Sequence, residues 1–600
     1  MLFLEIEEIE EHFPMRRTLP LSLVLALFPL LFFPTSFLLA ATSVVDVTPP
    51  PQSMSAGTMT EVTVAFDSAM DASTIHGGTI MVLGRWSGIA PGTFTLENGG
   101  TLVRFIPTEP FSAGEWVTVA VSNLVRSASG DSMAFGYAWS FWIAAGPGTL
   151  DLTEIDRISV REPGEPHIQT YGAHAADLNE DGYTDITLPN ELSDDIRVFL
   201  NDGLGGYDTF VIHPIPDGNF ASTNEAADLN GDGHMDIVVG NGGNDRMCVF
   251  IGDGTGGFTS ATSYQAGSSV RGVAAMDLDG DGDADVVTAN RSASNLSIFK
   301  NNGDGTFQPR QTMEGNGSQE TACGAVDANK DGILDLFVGA LGSQEMILLL
   351  GDGAGGLVVS SEVDAGGAPW MVAVGDVNGD GNVDVVSANS FNNNAAVILG
   401  DGMGGMLPAV NYPVGNFALA IDLGDIDGDG DLDMVTSNYG SASWTLYEND
   451  GSGTFINPRT LLATSAGSCA TLHDRDNDGD LDMTGIDEIV DLIFIFDNDL
   501  PLTVAENDPL PAGIELQQNY PNPFNPSTAI PFRVPVGTRI AVSLQVFDVL
   551  GREVATLVRD ELASGTYRRV FNAEGLASGV YFYRLTAGGS SLTRKLILSK

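Results

Sequence analysis

The residues able to do chemistry are concentrated in a nine-residue segment that recurs seven times. It reads DLNEDGYTD at 177–185, DLNGDGHMD at 228–236, DLDGDGDAD at 277–285, DANKDGILD at 327–335, DVNGDGNVD at 376–384, DIDGDGDLD at 425–433 and DRDNDGDLD at 474–482. Positions 1, 3, 5 and 9 are Asp or Asn in every copy, and position 6 is always Gly. Oxygen ligands at alternate positions are what a hard cation of the Ca²⁺ type requires, with a backbone carbonyl from position 7, and Gly permits the sharp turn. The candidate ligands are Asp177, Asn179, Asp181, Tyr183 and Asp185; Asp228, Asn230, Asp232, His234 and Asp236; Asp277, Asp279, Asp281, Asp283 and Asp285; Asp327, Asn329, Asp331, Ile333 and Asp335. They continue as Asp376, Asn378, Asp380, Asn382 and Asp384; Asp425, Asp427, Asp429, Asp431 and Asp433; and Asp474, Asp476, Asp478, Asp480 and Asp482. The fourth residue of each set acts through its carbonyl. Mg²⁺ keeps more water and fewer carboxylates, and Zn²⁺ needs Cys or His. A single DG-rich segment is an ordinary turn; seven with the same oxygen pattern make up to seven Ca²⁺ sites.

The segment shares its first half with the EF-hand loop, but position 12 is apolar or small (Val239, Val338, Ser387) where an EF-hand has Glu. The copies begin 49–51 residues apart. A Gly-rich element follows each of the first six, at 201–207, 252–258, 301–307, 351–357, 401–406 and 449–455. Between these landmarks the residues alternate or run β-branched, without helical periodicity. Each unit therefore reads as four strands, and a four-stranded unit of about 50 residues is a propeller blade. The expectation is an all-β chain with a seven-bladed β-propeller over 150–499. The last unit ends one strand short, so Ile158-Ser159-Val160 is expected to pair with it and close the ring.

These units resemble FG-GAP/VCBS repeats, the calcium-loop blades of the integrin α-subunit propeller. The resemblance implies that the Asp loops join the first two strands of each blade on one face and that ligands meet the opposite face. That face is built from residues 171, 219–224, 268–271, 316–321, 368–370, 416–419 and 465–468, with 190–194, 241–245, 290–295, 341–345, 389–394, 438–443 and 486–489. These loops vary between repeats whereas the Asp loops do not, which is the mark of a binding rim on a regular array. Tyr171, Arg271, Trp370, Phe391, Phe417 and Tyr439 are the ligand candidates.

Composition narrows the partners. Asp plus Glu is 79 against 26 Lys plus Arg, a formal charge of -53 over 600 residues. That excludes a nucleic-acid backbone as partner. No G-x-S-x-G, P-loop or H-E-x-x-H occurs, and the seven His are scattered. No catalytic residue is nominated, and the chain reads as a non-enzyme. Cys248, Cys323 and Cys469 fall in different units and read as buried free thiols.

The flanks carry the address. Residues 1–14 hold five Glu and no Lys or Arg, whereas from Met15 a pair of Arg precedes an apolar run and Ala40-Ala41. Residues 1–41 are thus expected to be a signal region that starts at Met15. No later stretch is apolar enough to span a membrane. Residues 43–146 alternate as short strands, and VAFDSAMDAS with WSFWI resembles bacterial Ig-like domains; this region reads as a structural spacer. Residues 500–513 read as a linker. Residues 514–600, with NYPNPFNPST, VFDVLGREVATL and LTRKLILSK, resemble the type A sorting domain of type IX secretion. The resemblance implies Sec export, then handling by the type IX machinery. The expected protein is an extracellular or cell-surface monomer that binds a glycan or protein ligand in adhesion. A polysaccharide-degrading, lyase-like enzyme on the same propeller and a structural surface component are the alternatives.

Overall fold

The computed structural model describes residues 41–207, 209–498 and, with short gaps, 514–599. The expected signal region up to Ala40 and the linker 500–513 lie outside the described residues. The described chain is all-β, its helical content limited to 3-10 turns at Ala72–Thr74, Asn98–Gly100 and Tyr439–Ser441.

Two four-stranded antiparallel sheets open the described chain. One orders Val44–Thr48, Val62–Phe66, Leu102–Pro107 and Gly92–Glu97; the other Gly88–Ile89, Ile80–Gly84, Trp116–Val121 and Tyr137–Trp142. Val62, Val64 and Phe66 alternate with half-exposed Thr63 and Ala65. The buried set meets Ile80, Val82, Val117, Val119 and Phe141 of the second sheet in one core.

Seven further four-stranded sheets follow in sequence order. In each, the Asp loop joins the first strand to the second. In the second sheet, for example, Ala221–Ala227 leads through 228–236 to Asp236–Asn241, then Arg246–Gly252 and Phe258–Gln265. The second strand is buried at all six positions in every sheet, as in Asp285–Asn290 and Asp433–Asn438. Its near-continuous run of small and β-branched residues follows from being covered on both faces. Outer strands such as Leu357–Asp364 alternate toward solvent. First strands of successive sheets touch, and that of the seventh touches that of the first.

The last sheet takes its fourth strand from before the first repeat. Thr153–Ser159 pairs antiparallel with Leu492–Asp497, Ile158 opposite Ile493 and Ser159 opposite Leu492. Val160 lies just past the strand and donates its N–H to the Asp491 carbonyl at 3.0 Å. Strand pairing thus starts at Thr153 and stops one residue before the expected Val160.

Near the C-terminus, a three-stranded and a four-stranded sheet share a core that includes Phe532, Val542, Leu544, Tyr583, Leu585 and Leu596.

Candidate functional site

Each Asp loop is held open by its own backbone. The position-6 Gly has φ between +78° and +103° in all seven copies, a region that a Cβ disfavours. The position-5 carboxylate accepts the position-7 N–H, as Asp181 does from Tyr183 at 3.0 Å and Asp232 from His234 at 2.9 Å. The position-1 carboxylate accepts the position-6 N–H, as Asp177 does from Gly182 at 2.8 Å. Position 9 is a staple. Asp285 accepts the N–H of Leu278 on one oxygen and of Asn301, just past the third strand, on the other.

The carboxyl chemistry divides the loops into two kinds. Where position 3 is Asn, its amide donates to the position-5 carboxylate, as Asn179 does to Asp181 at 3.1 Å. Where it is Asp, acids converge: Asp277, Asp279 and Asp285; Asp425, Asp427 and Asp433; Asp474, Asp476 and Asp478. Each trio has ligand oxygens within 4.8 Å of one another and could hold a metal ion. Asp279 Oδ1 and Asp427 Oδ1 are buried and without a hydrogen-bond partner. Buried acceptors left unmatched in an acidic cluster fit a hard cation, which satisfies several carboxylates together; in the seventh loop Arg475 also pairs with Asp476, Asp482 and Asp497. The acids at position 7, Asp283, Asp431 and Asp480, stand outside these trios, as a carbonyl role there requires.

Burial pushes these carboxyls up. Asp185, Asp236, Asp335 and Asp384 rise to about 7, and Asp285 and Asp433 to about 8, with neighbouring acids adding to the effect. The unfolded carboxyls ionise near 4. Without a cation the folded state therefore holds more protons between about pH 4 and 8, and stability falls as pH rises through that window. A bound cation selects the ionised form and reverses the trend. Melting temperature is expected to fall from pH 5 to pH 8 in EDTA and to rise over the same range in calcium. An EDTA melt that rises with pH would contradict this.

The sheets of 44–142 lie against the Asp loops. Ser122 Oγ donates to the Asp281 carbonyl at 2.7 Å, and the Asn123 N–H to the Gly280 carbonyl at 2.7 Å. Ala138 donates to Gly332 at 2.7 Å, Gly146 to Gly479 at 2.5 Å and Gly148 to Asp427 at 3.1 Å. None of these acceptors is a position-7 carbonyl, so the atoms assigned to the cation stay available. Trp86 is buried among residues of the first and seventh sheets, and its carbonyl accepts the Asp177 N–H at 2.7 Å. Arg85 reaches Asp422 in the sixth sheet, Nη1 to Oδ1 at 3.0 Å. A cavity of about 290 Å³ lies between the first strands of the seven sheets, with Arg85, Trp116 and Trp142 also in its lining. The spacer reading of 43–146 is corrected here: the region is packed onto the repeats.

At the opposite ends of the sheets, the six sequence-nominated residues come together. Trp370 Nε1 donates to the Tyr171 hydroxyl at 2.6 Å, which links the fifth sheet to the first. The Arg271 guanidinium lies 5.2 Å from the centre of the Tyr171 ring. Trp370 meets Phe417 at 6.1 Å, and Phe417 meets Phe391 at 5.8 Å and Tyr439 at 6.0 Å. Phe391 is 61% exposed, and Leu192, Phe220 and Ile489, in loops at the same ends, are also exposed.

Sequence reasoning missed the polar members. Arg271 Nη1 donates to Glu191 Oε1 at 2.8 Å. Gln169 Nε2 donates to Glu191 at 2.6 Å and to Glu488 at 2.8 Å. Burial, then the Glu191 charge, raises Glu488 to about 8. Arg291 places its guanidinium 5.0 Å from the Trp370 ring centre. Glu191, Arg291 and Glu488 sit in the variable loops; for Arg291 the signal was a charge in a segment otherwise of Asn, Ser and Ala, whereas Glu488 stands beside another acid in Ile-Asp-Glu-Ile. Cys248 and Cys469 are buried free thiols, while Cys323 is half-buried and lines the cavity.

Among the described residues no helix is long and apolar enough to cross a membrane. A bacterial Ig-like domain model matches residues 40–142. A secretion-system C-terminal sorting domain model matches residues 518–599 and indicates export by the type IX route to the extracellular or cell-surface space. No curated protein matches the chain. Among solved structures, one concerns recognition of non-reducing terminal N-acetylglucosamine by an Agrocybe aegerita lectin; it is 21% identical, covers 50% of this chain and 82% of that one, and has a TM-score of 0.37. The periplasmic gluconolactonase PpgL of Pseudomonas aeruginosa is 15% identical, covers 56% and 97%, and has a TM-score of 0.34. With TM-scores this low, neither bears on what this chain binds. The FG-GAP-like repeat model matches 177–239, 228–288, 277–338, 327–387, 376–436 and 425–483, each match running from one Asp loop into the next. Together these cover just over half of the 600 residues, and the chain belongs to the FG-GAP-like repeat family.

Proposed function

We propose that the seven repeat sheets are the blades of a seven-bladed β-propeller, flanked by Ig-like sandwiches at 43–146 and 514–600. A signal region at 1–41 and a linker at 500–513 complete the chain. The Asp loops bind Ca²⁺, which neutralises the clustered carboxylates and fixes the loop face. The exported protein serves adhesion, binding an extracellular glycan or protein ligand at the opposite face. The observation that carries this reading is the convergence of Tyr171, Arg271, Trp370, Phe391, Phe417 and Tyr439, drawn from four different sheets, on the side away from 44–142. Ligand sites gather where variable loops on a rigid scaffold meet.

Glu488 and Glu191 favour one second reading. Two nearly buried carboxyls share one amide beside the aromatic cluster, with Glu488 held protonated near neutral pH. Carboxyl groups in contrasting environments are the equipment of sugar-cleaving enzymes. A polysaccharide-degrading enzyme is therefore the alternative.

Incubating the full chain with a panel of polysaccharides, in calcium and in EDTA, separates the readings. Intact polymer captured in calcium is expected, with capture lost in Trp370→Ala. Shortened polymer would establish the enzyme instead. No capture of any polymer would exclude the glycan arm and leave protein ligands or a structural surface role.

A further inference from the structure

In a chain with 79 acidic and 26 basic residues, an arginine with no acidic neighbour is out of place. Arg291 is one. Its guanidinium is half-buried over Trp370, and no carboxylate bears on it: burial and the Arg271 charge both act against its protonated form. Arg271 is incompletely satisfied as well. Its Nη1 pairs with Glu191, but its Nε is buried and has no hydrogen-bond partner. Arg197, which has a structural role, shows the contrast. It is fully buried, and its donors reach the Val160 carbonyl at 2.6 Å and both oxygens of Glu165 at 2.6 and 2.8 Å. Leaving buried guanidinium N–H groups unmatched is costly. Arg271 Nε is in that position, and half-buried Arg291 makes no side-chain hydrogen bond or ion pair with the described residues and rests over the Trp370 ring.

The surroundings specify the rest. The two arginines lie on the faces of Tyr171 and Trp370, and from Trp370 the apolar rings run on through Phe417. An apolar platform beside a pair of cations suits a ring that carries an oxyanion. The loops at this face spend their backbone groups on one another, as in Tyr439 N–H to the Phe417 carbonyl and Ser390 N–H to the Ala368 carbonyl. Among the described residues these loops offer no open strand edge of the kind an extended peptide pairs with.

We propose that Arg291 and Arg271 form an oxyanion site for an acidic polysaccharide, whose carboxylate or sulfate ester they bind while its sugar rings lie along Trp370 and Phe417. The proposal rests on the ligand-face reading above and narrows its ligand to one class.

Affinity electrophoresis of the full chain in calcium tests it, with gels containing hyaluronan (carboxylate), dextran sulfate (sulfate ester) or neutral dextran. Retardation by one or both acidic polymers and none by dextran is expected, and which polymer retards the chain distinguishes carboxylate from sulfate. Arg291→Gln, whose half-exposed side chain leaves the fold intact, is expected to weaken binding by about tenfold to a hundredfold, the effect of losing a charge-assisted contact. Arg291→Lys is expected to restore part of it. Retardation by an acidic polymer that Arg291→Gln leaves unchanged would overturn the site. Retardation by neutral dextran that is lost in Trp370→Ala and unchanged in Arg291→Gln would also overturn it, while leaving the glycan-binding face standing. Absence of retardation by every polymer would overturn both.

Discussion

Chelation is expected to lower the melting temperature of the repeat region sharply, and restoring calcium to recover it. The seven Asp loops hold 28 of the chain's 79 acidic residues. Burial first, and then repulsion between like charges at this density, shift the carboxyls toward the neutral form, which is the direction seen at Asp277, Asp285, Asp425 and Asp433. If each loop binds at the roughly 10⁻⁴–10⁻³ M common for extracellular calcium modules, 1 mM calcium adds about 0.4–1.4 kcal/mol per loop. Over seven loops that is about 3–10 kcal/mol, comparable with the ~5–15 kcal/mol that separates folded from unfolded protein. The loops with Asp at position 3 should load first, because ligand charge sets affinity and because Asp279 and Asp427 hold buried oxygens with no other partner. Scanning fluorimetry in EDTA and through a calcium titration measures this. An identical melt in both would show that backbone hydrogen bonds alone hold the loops.

Repetition decided what the sequence made legible. One Asp loop is an ambiguous turn, but seven in register define the spacing, the strand count and the segment before the first repeat that completes the last sheet. The opposite face was legible as positions, because variation against a constant background marks Tyr171, Trp370 and Phe417. Their contacts were not legible. Trp370 and Tyr171 are 199 residues apart, and only the cyclic return of the sheets brings them together. Arg85 and Trp86 left no trace at all. They sit in a short GRWSG segment of a region whose own core is complete without them. Their partners belong to sheets distant in sequence, with Asp422 lying 337 residues away. Alternation reports which residues face a local core and says nothing about a surface buried by another part of the chain.

Trp86→Ala is expected to loosen the hold of the repeats on the region of 44–142, so that it releases more readily, without unfolding either. Trp86 is 1% exposed, and Ile426, Leu472 and Leu481 of the sixth and seventh sheets are in the same buried cluster. Its segment is fixed from behind by Glu115, which accepts the N–H groups of Trp86 and Ser87 at 2.9 and 3.0 Å and the Ser87 hydroxyl at 2.7 Å. The segment therefore meets the sheets as a preformed wedge, and truncating its tip removes about 3–5 kcal/mol of packing. The other contacts are the Arg85–Asp422 ion pair, apolar packing in which Trp142 shares a buried cluster with Val377, Leu423 and Leu432 and Ala120 and Ala138 share one with Leu278 and Leu334, and hydrogen bonds at the loop face, each contributing about 1 kcal/mol net, which depend on the loops holding their shape. Limited proteolysis between residues 143 and 152 and the radius of gyration in solution read the release directly. Both should change in Trp86→Ala in the presence of calcium, and in the wild type when calcium is removed. Trp139→Ala is the contrasting case, since Trp139 is buried in the core of the 44–142 sheets themselves and its loss should unfold them. An unchanged radius and cleavage pattern in Trp86→Ala would show that the remaining contacts hold the two parts together without the wedge. If release occurs in both settings, calcium controls more than stability: the ions expected in the Asp loops would also decide whether Arg85, Trp116 and Trp142 stay in the lining of the central cavity.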